Sequence, residues 1–261
     1  MIRILTLNVN GIRSAAKKGF FSWLAKQNVD IVCLQETRAH THLLTDPVLR
    51  PTGYHAYFCD AEKKGYSGVA LYTRVKPDQV HRGLGWHNAD TEGRYIQADF
   101  GKLSIASIYF PSGTSGEVRQ AIKYDFMAHY EKQLSANRKN GREYILCGDW
   151  NIAHKTIDLA NWRSNQKSSG FLPEERVWFD KLLGPLGFVD AFRVLNQEPD
   201  QYTWWSQRSR TARARNIGWR IDYQIVTPEL AQAIQSVSIY TGEIFSDHAP
   251  VIVDYDLNLP L

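Results

Sequence analysis

The sequence predicts an α/β fold, and three observations carry that reading. Short apolar runs of strand length recur from Ile2 to Tyr255, amphipathic helical segments lie between some of them, and several runs end in polar or charged residues. At 261 residues, one domain spanning 1–261 can bury a large core without dividing. Residues 2 to 9 are apolar or β-branched with few charges, as in a strand, and they close in Asn8-Val9-Asn10-Gly11. Lys18 to Gln27 carries Phe20, Phe21, Trp23 and Leu24 at helical spacing, and the strand Val29 to Leu34 then runs into Gln35-Glu36. Gly68 to Tyr72 is a further strand, and Tyr95 to Phe100 with Leu103 to Tyr109 forms a hairpin that turns at Gly101-Lys102. Glu117 to Arg138 reads as a helix with Val118, Ile122, Phe126, Tyr130 and Leu134 on its inner face. Glu143 to Cys147 is a buried strand closed by Gly148, where a change of chain direction is expected. Pro173-Glu174-Glu175 opens a second helix with Trp178, Leu182 and Leu183 inward before Gly184. Ile221 to Val226 and Val251 to Tyr255 complete the strands.

Composition narrows the function class. The apolar share of 43% and charged share of 22% suit a soluble globular protein, whereas 8 Trp, 13 Tyr and 11 Phe are many for this length. A net charge of +4 fits a polyanionic partner. Cys33, Cys59 and Cys147 are odd in number and widely spaced, which argues against a disulfide framework or a zinc cluster and for a reducing compartment. The start Ile2-Arg3-Ile4-Leu5 has no basic segment with an apolar signal core, and no run reaches membrane-spanning length. A cytoplasmic protein without a membrane partner is expected.

Polar strand ends supply the chemistry. Asp149 and Asn151 follow a buried strand, where an open α/β sheet binds its ligands, although for Gly148 to Asn151 alone an ordinary Asx turn explains the pair as well. Recurrence breaks the tie: Asn8 and Asn10, Glu36, Tyr109, Asp222, and Asp247 with His248 all occupy strand ends or the loops beside them. A carboxylate such as Glu36 at a buried strand end needs a partner, solvent or a metal. This set is rich in carboxylate and amide oxygen and has a single histidine, so it suits Mg²⁺ or Mn²⁺ better than zinc. His248 has an acid, Asp222, available to orient it. Thr203 to Ile221 holds Arg208, Arg210, Arg213, Arg215 and Arg220 with Trp204, Trp205 and Trp219 and no acid, a pairing that suits phosphates and stacking on bases or sugars. Phosphate-ester hydrolysis fits the inventory.

Read together, Asn8-Val9-Asn10-Gly11-Ile12-Arg13, Leu34-Gln35-Glu36, Tyr66-Ser67-Gly68-Val69-Ala70, Tyr109-Phe110-Pro111, Gly148-Asp149-Trp150-Asn151-Ile152-Ala153, Gly218-Trp219-Arg220-Ile221-Asp222-Tyr223 and Ser246-Asp247-His248 resemble the exonuclease III family of abasic-site endonucleases. The resemblance runs nearly end to end. Gln35-Glu36 and Ser246-Asp247-His248 alone would mark only the wider endonuclease/exonuclease/phosphatase superfamily. Asn151 to Phe171 and Gly218 to Tyr223 point to its DNA-repair branch. The resemblance implies a four-layer α/β sandwich of DNase I type, two packed mixed sheets flanked by helices. It implies Mg²⁺-dependent incision of duplex DNA 5′ to abasic sites, with trimming of blocked 3′ ends by exonuclease, phosphodiesterase or phosphatase action, by a monomer. By match to the family motifs, Glu36 would hold the metal with help from Asn8 and Asp247, and Asp149, Asn151 and His248 count among the metal-site residues as well. Asp149 would orient or deprotonate water, Asn151 would bind phosphate, His248 held by Asp222 would donate to a phosphate oxygen, and Tyr109 would act near the leaving oxygen. Asn10, Arg13, Asn165, Trp204, Arg208, Arg213 and Trp219 would contact DNA.

Ser168, Ser112 and Asn10 depart from residues common in relatives, which leaves the balance among the activities open. Two other readings compete. A non-catalytic DNA-binding module conflicts with the complete set of site residues, and a phosphodiesterase for lipid or inositol phosphate conflicts with the Arg and Trp stretch.

Overall fold

A computed structural model describes residues 1–259. Its strands are β1 (Ile2–Asn8), β2 (Ile31–Gln35), β3 (His55–Cys59), β4 (Val69–Thr73), β5 (Gln79–Arg82), β6 (Tyr95–Phe100), β7 (Leu103–Tyr109), β8 (Glu143–Asp149), β9 (Val189–Asp190), β10 (Asp222–Val226), β11 (Ile234–Ile239) and β12 (Val251–Tyr255). They form two six-stranded sheets, ordered β11-β12-β1-β2-β4-β3 and β5-β6-β7-β8-β10-β9. The central pairs β1–β2 and β7–β8 are parallel, so each sheet sends two adjacent carboxyl ends the same way. Register then decides what those ends carry. Asn8 lies opposite Gln35 in the first sheet, while Tyr109, Asp149 and Asp222 form one row across β7, β8 and β10 in the second.

The sheets pack face to face through Ile4, Ile31 and Leu71 on one side and Ile96, Ile105 and Ile145 on the other. Buried polar groups fix their relative position, because an unpaired one would cost a hydrogen bond. Gln35 Nε2 donates to Ser107 Oγ at 2.9 Å, and Gln224 Nε2 donates to the Ile4 carbonyl at 3.0 Å. Outside the first sheet, Phe20, Phe21 and Trp23 pack on Val32 and Tyr72. Outside the second, the helices Glu117–Asn137 and Pro173–Leu183 deliver Phe126, Tyr130, Trp178 and Phe179. The four-layer α/β sandwich is borne out.

Several local expectations are corrected. β8 runs two residues past Cys147, so Gly148 makes no turn; a Cβ there would sit 1.9 Å from the Ile108 carbonyl oxygen, and close approach of β7 is what requires glycine. The turn comes at Asn151, at φ 52°. In the Glu117–Asn137 helix, a four-residue step drifts by about 40° per step from the helical repeat. Val118, four steps from Leu134, is therefore 76% exposed, and the inner face is Lys123, Phe126, Met127, Tyr130, Leu134 and Asn137. Glu175, expected in an ordinary first turn, is fully buried. The short helix Ile12–Lys17 and the strands β3, β5, β9 and β11 have no counterpart in the sequence reading. All three cysteines are free and buried. No helix of the described residues is long and apolar enough to cross a membrane.

Candidate active site

The polar strand ends converge on one cavity of about 450 Å³. Asp149, the last residue of β8, is its centre. Asn8 Nδ2 donates to Asp149 Oδ2 at 2.9 Å, the Asn151 backbone N–H donates to Oδ1 at 2.9 Å, and Asn151 Nδ2 reaches Oδ2 at 3.2 Å. The Asx turn and the shared site are thus both present, because the turn is what aims the Asn151 amide back at its neighbour's carboxylate. Burial pushes the Asp149 carboxyl up to about 7, with His248 opposing the rise and Asp222 adding to it.

His248 precedes β12 by three residues, and Asp222 opens β10. His248 Nδ1 lies 2.9 Å from Asp222 Oδ2, and its Nε2 lies 3.9 Å from Asp149 Oδ2. Burial works against charge on the ring, yet Asp222, Asp149 and Asp247 together raise it to about 10. At neutral pH the imidazole is therefore a buried cation among carboxylates. Asp247 accepts from Asn10 Nδ2 at 2.8 Å and from Trp204 Nε1 at 3.1 Å. Burial would raise its carboxyl, but His248, Asn10 and Trp204 outweigh it and hold the group below its usual range.

Across the cavity, the Tyr109 hydroxyl donates to Glu36 Oε1, and Glu36 Oε2 is ion-paired with the Arg38 guanidinium. Glu36 adopts φ 52°, which turns its side chain from the end of β2 into the cavity. Burial, then Glu36, push the Tyr109 phenol well above its ordinary value, against the Arg94 guanidinium 4.8 Å from the ring centroid. Trp204 and Trp219, both half-buried, stand edge to face at 6.3 Å and line the cavity. Antiparallel backbone bridges tie Trp204 to Trp219 and to His248, so the aromatic wall and the imidazole share one scaffold. Asn165 joins the lining through a turn in which its Oδ1 accepts from Ser168 Oγ at 3.1 Å.

Other expected residues lie elsewhere. Arg13 and Arg208 are exposed and outside the cavity lining. Arg213 stacks 4.5 Å from the Trp205 ring centroid and donates to the Ser246 carbonyl at 3.1 Å, away from the cavity. Arg220, counted in the basic stretch, is a core residue paired with Asp158 and Asp190 at 2.8 and 2.7 Å. Burial of a guanidinium demands such partners, and both acids lie too far along the sequence to be assigned to it from local pattern. Arg38, Ser169 and Gly170 line the cavity although the sequence reading assigned them no role; for Arg38, the signal was a cation two residues after Glu36.

The donor chemistry fits a metal. Asp149, Asp222 and His248 offer ligand atoms within 4.8 Å of one another. The His248–Asp222 hydrogen bond already occupies Nδ1, whereas the Glu36 carboxylate faces the cavity with the Arg38 guanidinium as its present cationic partner. Oxygen donors of this kind match a hard divalent cation.

Comparison with known proteins agrees with this geometry. Residues 5–248 match the endonuclease/exonuclease/phosphatase family. An exodeoxyribonuclease of Bacillus subtilis (strain 168) is 38% identical over 255 residues, covering 96% of this chain and 98% of that protein. A DNA-(apurinic or apyrimidinic site) endonuclease of Dictyostelium discoideum is 37% identical over 265 residues, covering 98% of this chain and 71% of that protein. Among solved structures, a 3′ phosphatase from Neisseria bound to product DNA hairpin superposes with a TM-score of 0.90 at 28% identity, covering 98% of this chain and all of that one. The row of Tyr109, Asp149 and Asp222 on a two-sheet scaffold is thus found in a chain that belongs to the endonuclease/exonuclease/phosphatase family, in its exonuclease III-type branch of DNA-repair nucleases.

Proposed function

We propose that this nuclease hydrolyses the phosphodiester on the 5′ side of abasic sites in duplex DNA, trims blocked 3′ ends at the same site, and uses Mg²⁺, which Mn²⁺ can replace. The observation that carries this reading is the placement of Asp149, held by Asn8 and Asn151, 3.9 Å from the Nε2 of His248 and on the same cavity as the Trp204 and Trp219 rings.

Chemistry follows from those positions. Asp149, with its carboxyl raised by burial, is a base of suitable strength to orient a water and take its proton as it attacks phosphorus. His248, charged and locked by Asp222, presents Nε2–H to a phosphate oxygen as negative charge builds there. The Asn151 side-chain amide, already bonded to the Phe110 carbonyl at 3.0 Å, is rigid enough to place a phosphate. A divalent cation, when bound, offsets charge on the phosphoryl oxygens. Glu36 would hold it, with Asn8 and Asp247 nearby on the cavity wall. Tyr109, hydrogen-bonded to Glu36, would act near the leaving oxygen. The Trp204 and Trp219 faces would receive a flipped-out deoxyribose that lacks a base and would stop an intact nucleotide.

The test is a labelled duplex with one stable abasic analogue, incubated with Mg²⁺ or with EDTA, and mapping of product ends. Incision on the 5′ side that disappears in EDTA is the expected result. Incision on the 3′ side, or none on abasic duplex, overturns the reading.

A further inference from the structure

Behind the cavity, Lys123 and Glu175 form an ion pair of 2.6 Å with both side chains fully buried. They come from different helices, Glu117–Asn137 and Pro173–Leu183, and neither side chain lines the cavity. For stability alone the choice is poor, since desolvating two charges offsets most of their attraction and a well-packed apolar pair often does as well. What distinguishes the pair is where its remaining hydrogen bonds go. Lys123 Nζ donates to the Asn151 carbonyl at 2.7 Å. Glu175 Oε2 accepts the Gly170 and Leu172 backbone N–H groups at 2.6 and 3.0 Å, and Gln120 Nε2 reaches its Oε1 at 3.1 Å.

Both targets touch the site. Asn151, at φ 52°, presents its amide to Asp149 from the left-handed region, which Asn tolerates, and the Lys123 hydrogen bond fixes the direction of its carbonyl. Gly170 lines the cavity and bonds through its carbonyl to the Ala153 N–H at 2.7 Å. A Cβ at Gly170 would come within 3.1 Å of both the Asn151 carbonyl and the Trp219 ring, so the three are packed to contact. One buried charge pair therefore holds the phosphate side of the cavity, Asn151, and the support of the aromatic wall, Gly170 against Trp219.

We infer that Lys123 and Glu175 are positioning residues that set Asn151 and the Trp219 wall in register, and so control both turnover and lesion selectivity. This rests on the proposed abasic-site reading. The test is the double variant Lys123→Met/Glu175→Gln, which removes both charges, keeps the Lys123 stem volume, and leaves an amide oxygen to accept from Gly170 and Leu172. Three measurements are made below the melting temperature: kcat and KM on abasic duplex, hydrolysis of a small phosphodiester, and hydrogen exchange of 151–154 and 168–172 by mass spectrometry. The folded variant is expected to lose roughly tenfold to a hundredfold in kcat with KM changed by less than about threefold, as misplacement near 1 Å can do. Small-phosphodiester hydrolysis should fall less, and exchange in those two segments should rise while the core strands stay protected. Wild-type kcat, a loss confined to KM, or a loss that tracks the unfolded fraction overturns the inference. The exchange measurement needs no substrate: unchanged protection of both segments overturns it even where wild-type protein ignores abasic duplex, a result that sinks the functional reading instead.

Discussion

His248 Nδ1 lies 2.9 Å from Asp222 Oδ2, and this contact makes a residue from the last loop work with a residue from the second sheet. Both Asp222 carboxylate oxygens face His248 Nδ1, its backbone sits in the row with Asp149, and its charge favours the protonated imidazole. Asp222→Asn removes the charge while retaining the shape. It should lower incision kcat by roughly 10²-fold or more with little change in KM, because in the proposed mechanism the imidazole acts mainly on the transition state. Single-turnover rates on abasic duplex check this, and an unchanged rate would sink the assignment of His248.

Glu36 lines the cavity with its Oε2 ion-paired to Arg38. Glu36→Gln should cut turnover by orders of magnitude at low Mg²⁺, with partial recovery at high Mg²⁺, while leaving the melting temperature near that of the unaltered protein. A Mg²⁺ titration of rate decides it. Activity of the unaltered protein that persists in EDTA would remove the metal role altogether.

Trp219 meets Gly170 on one side and Trp204 on the other. Trp219→Ala should reduce abasic incision far more than cleavage of a small phosphodiester, and should narrow the preference for abasic over intact duplex. Equal loss on both substrates, with folding intact, would mean that the wall supports the site generally and that lesion choice lies elsewhere.

Asp158 links the basic stretch to the core, and its carboxyl is held down to about 2 because Arg220 and Arg193 outweigh the effect of burial. A folded value below the unfolded one, near 4, means the stabilisation is complete above about pH 4 and vanishes as pH falls through about 2. The shift is worth about 2 kcal/mol. Urea midpoints should therefore fall across that window in the unaltered protein. In Asp158→Asn the part of that slope due to Asp158 should be missing, with stability already lower at pH 7. An unaltered slope in the variant would show that other carboxylates carry the acid sensitivity.

Arg208 and Arg213 of the basic stretch divide by environment. Exposed Arg208 is free to meet a phosphate, so Arg208→Ala should weaken DNA binding broadly and reduce its salt dependence. Arg213, stacked on Trp205 and bonded to the Ser246 carbonyl, holds the loop that carries Asp247 and His248. Arg213→Ala should instead lower the melting temperature and kcat together. Titrations at several salt concentrations separate the two, and identical behaviour would refute the division.

Much of this protein was legible in the sequence because local chemistry determined it. Inner strands such as β1, β7 and β8 are short apolar runs, and β8 with its Asp149 and Asn151 ending was readable as a polar end on a buried strand. The motifs around Glu36, Asp149, Asp222 and His248 named the inventory of the site. The strands that escaped, β3, β5, β9 and β11, are the four sheet edges. Edge strands are paired on one side, partly wetted or very short, so their residues need neither full burial nor strict alternation, and pattern reading fails there. Tertiary structure alone decided which strand ends meet, through the register of the two parallel pairs and the Gln35 and Gln224 hydrogen bonds between sheets. It also decided which charges are core. Arg220, Lys123 and Glu175 look like surface residues in sequence, and only partners 62, 30 and 52 positions away make their burial possible. Composition specifies that a charge exists; the energy of burying it depends on groups that only folding brings within reach.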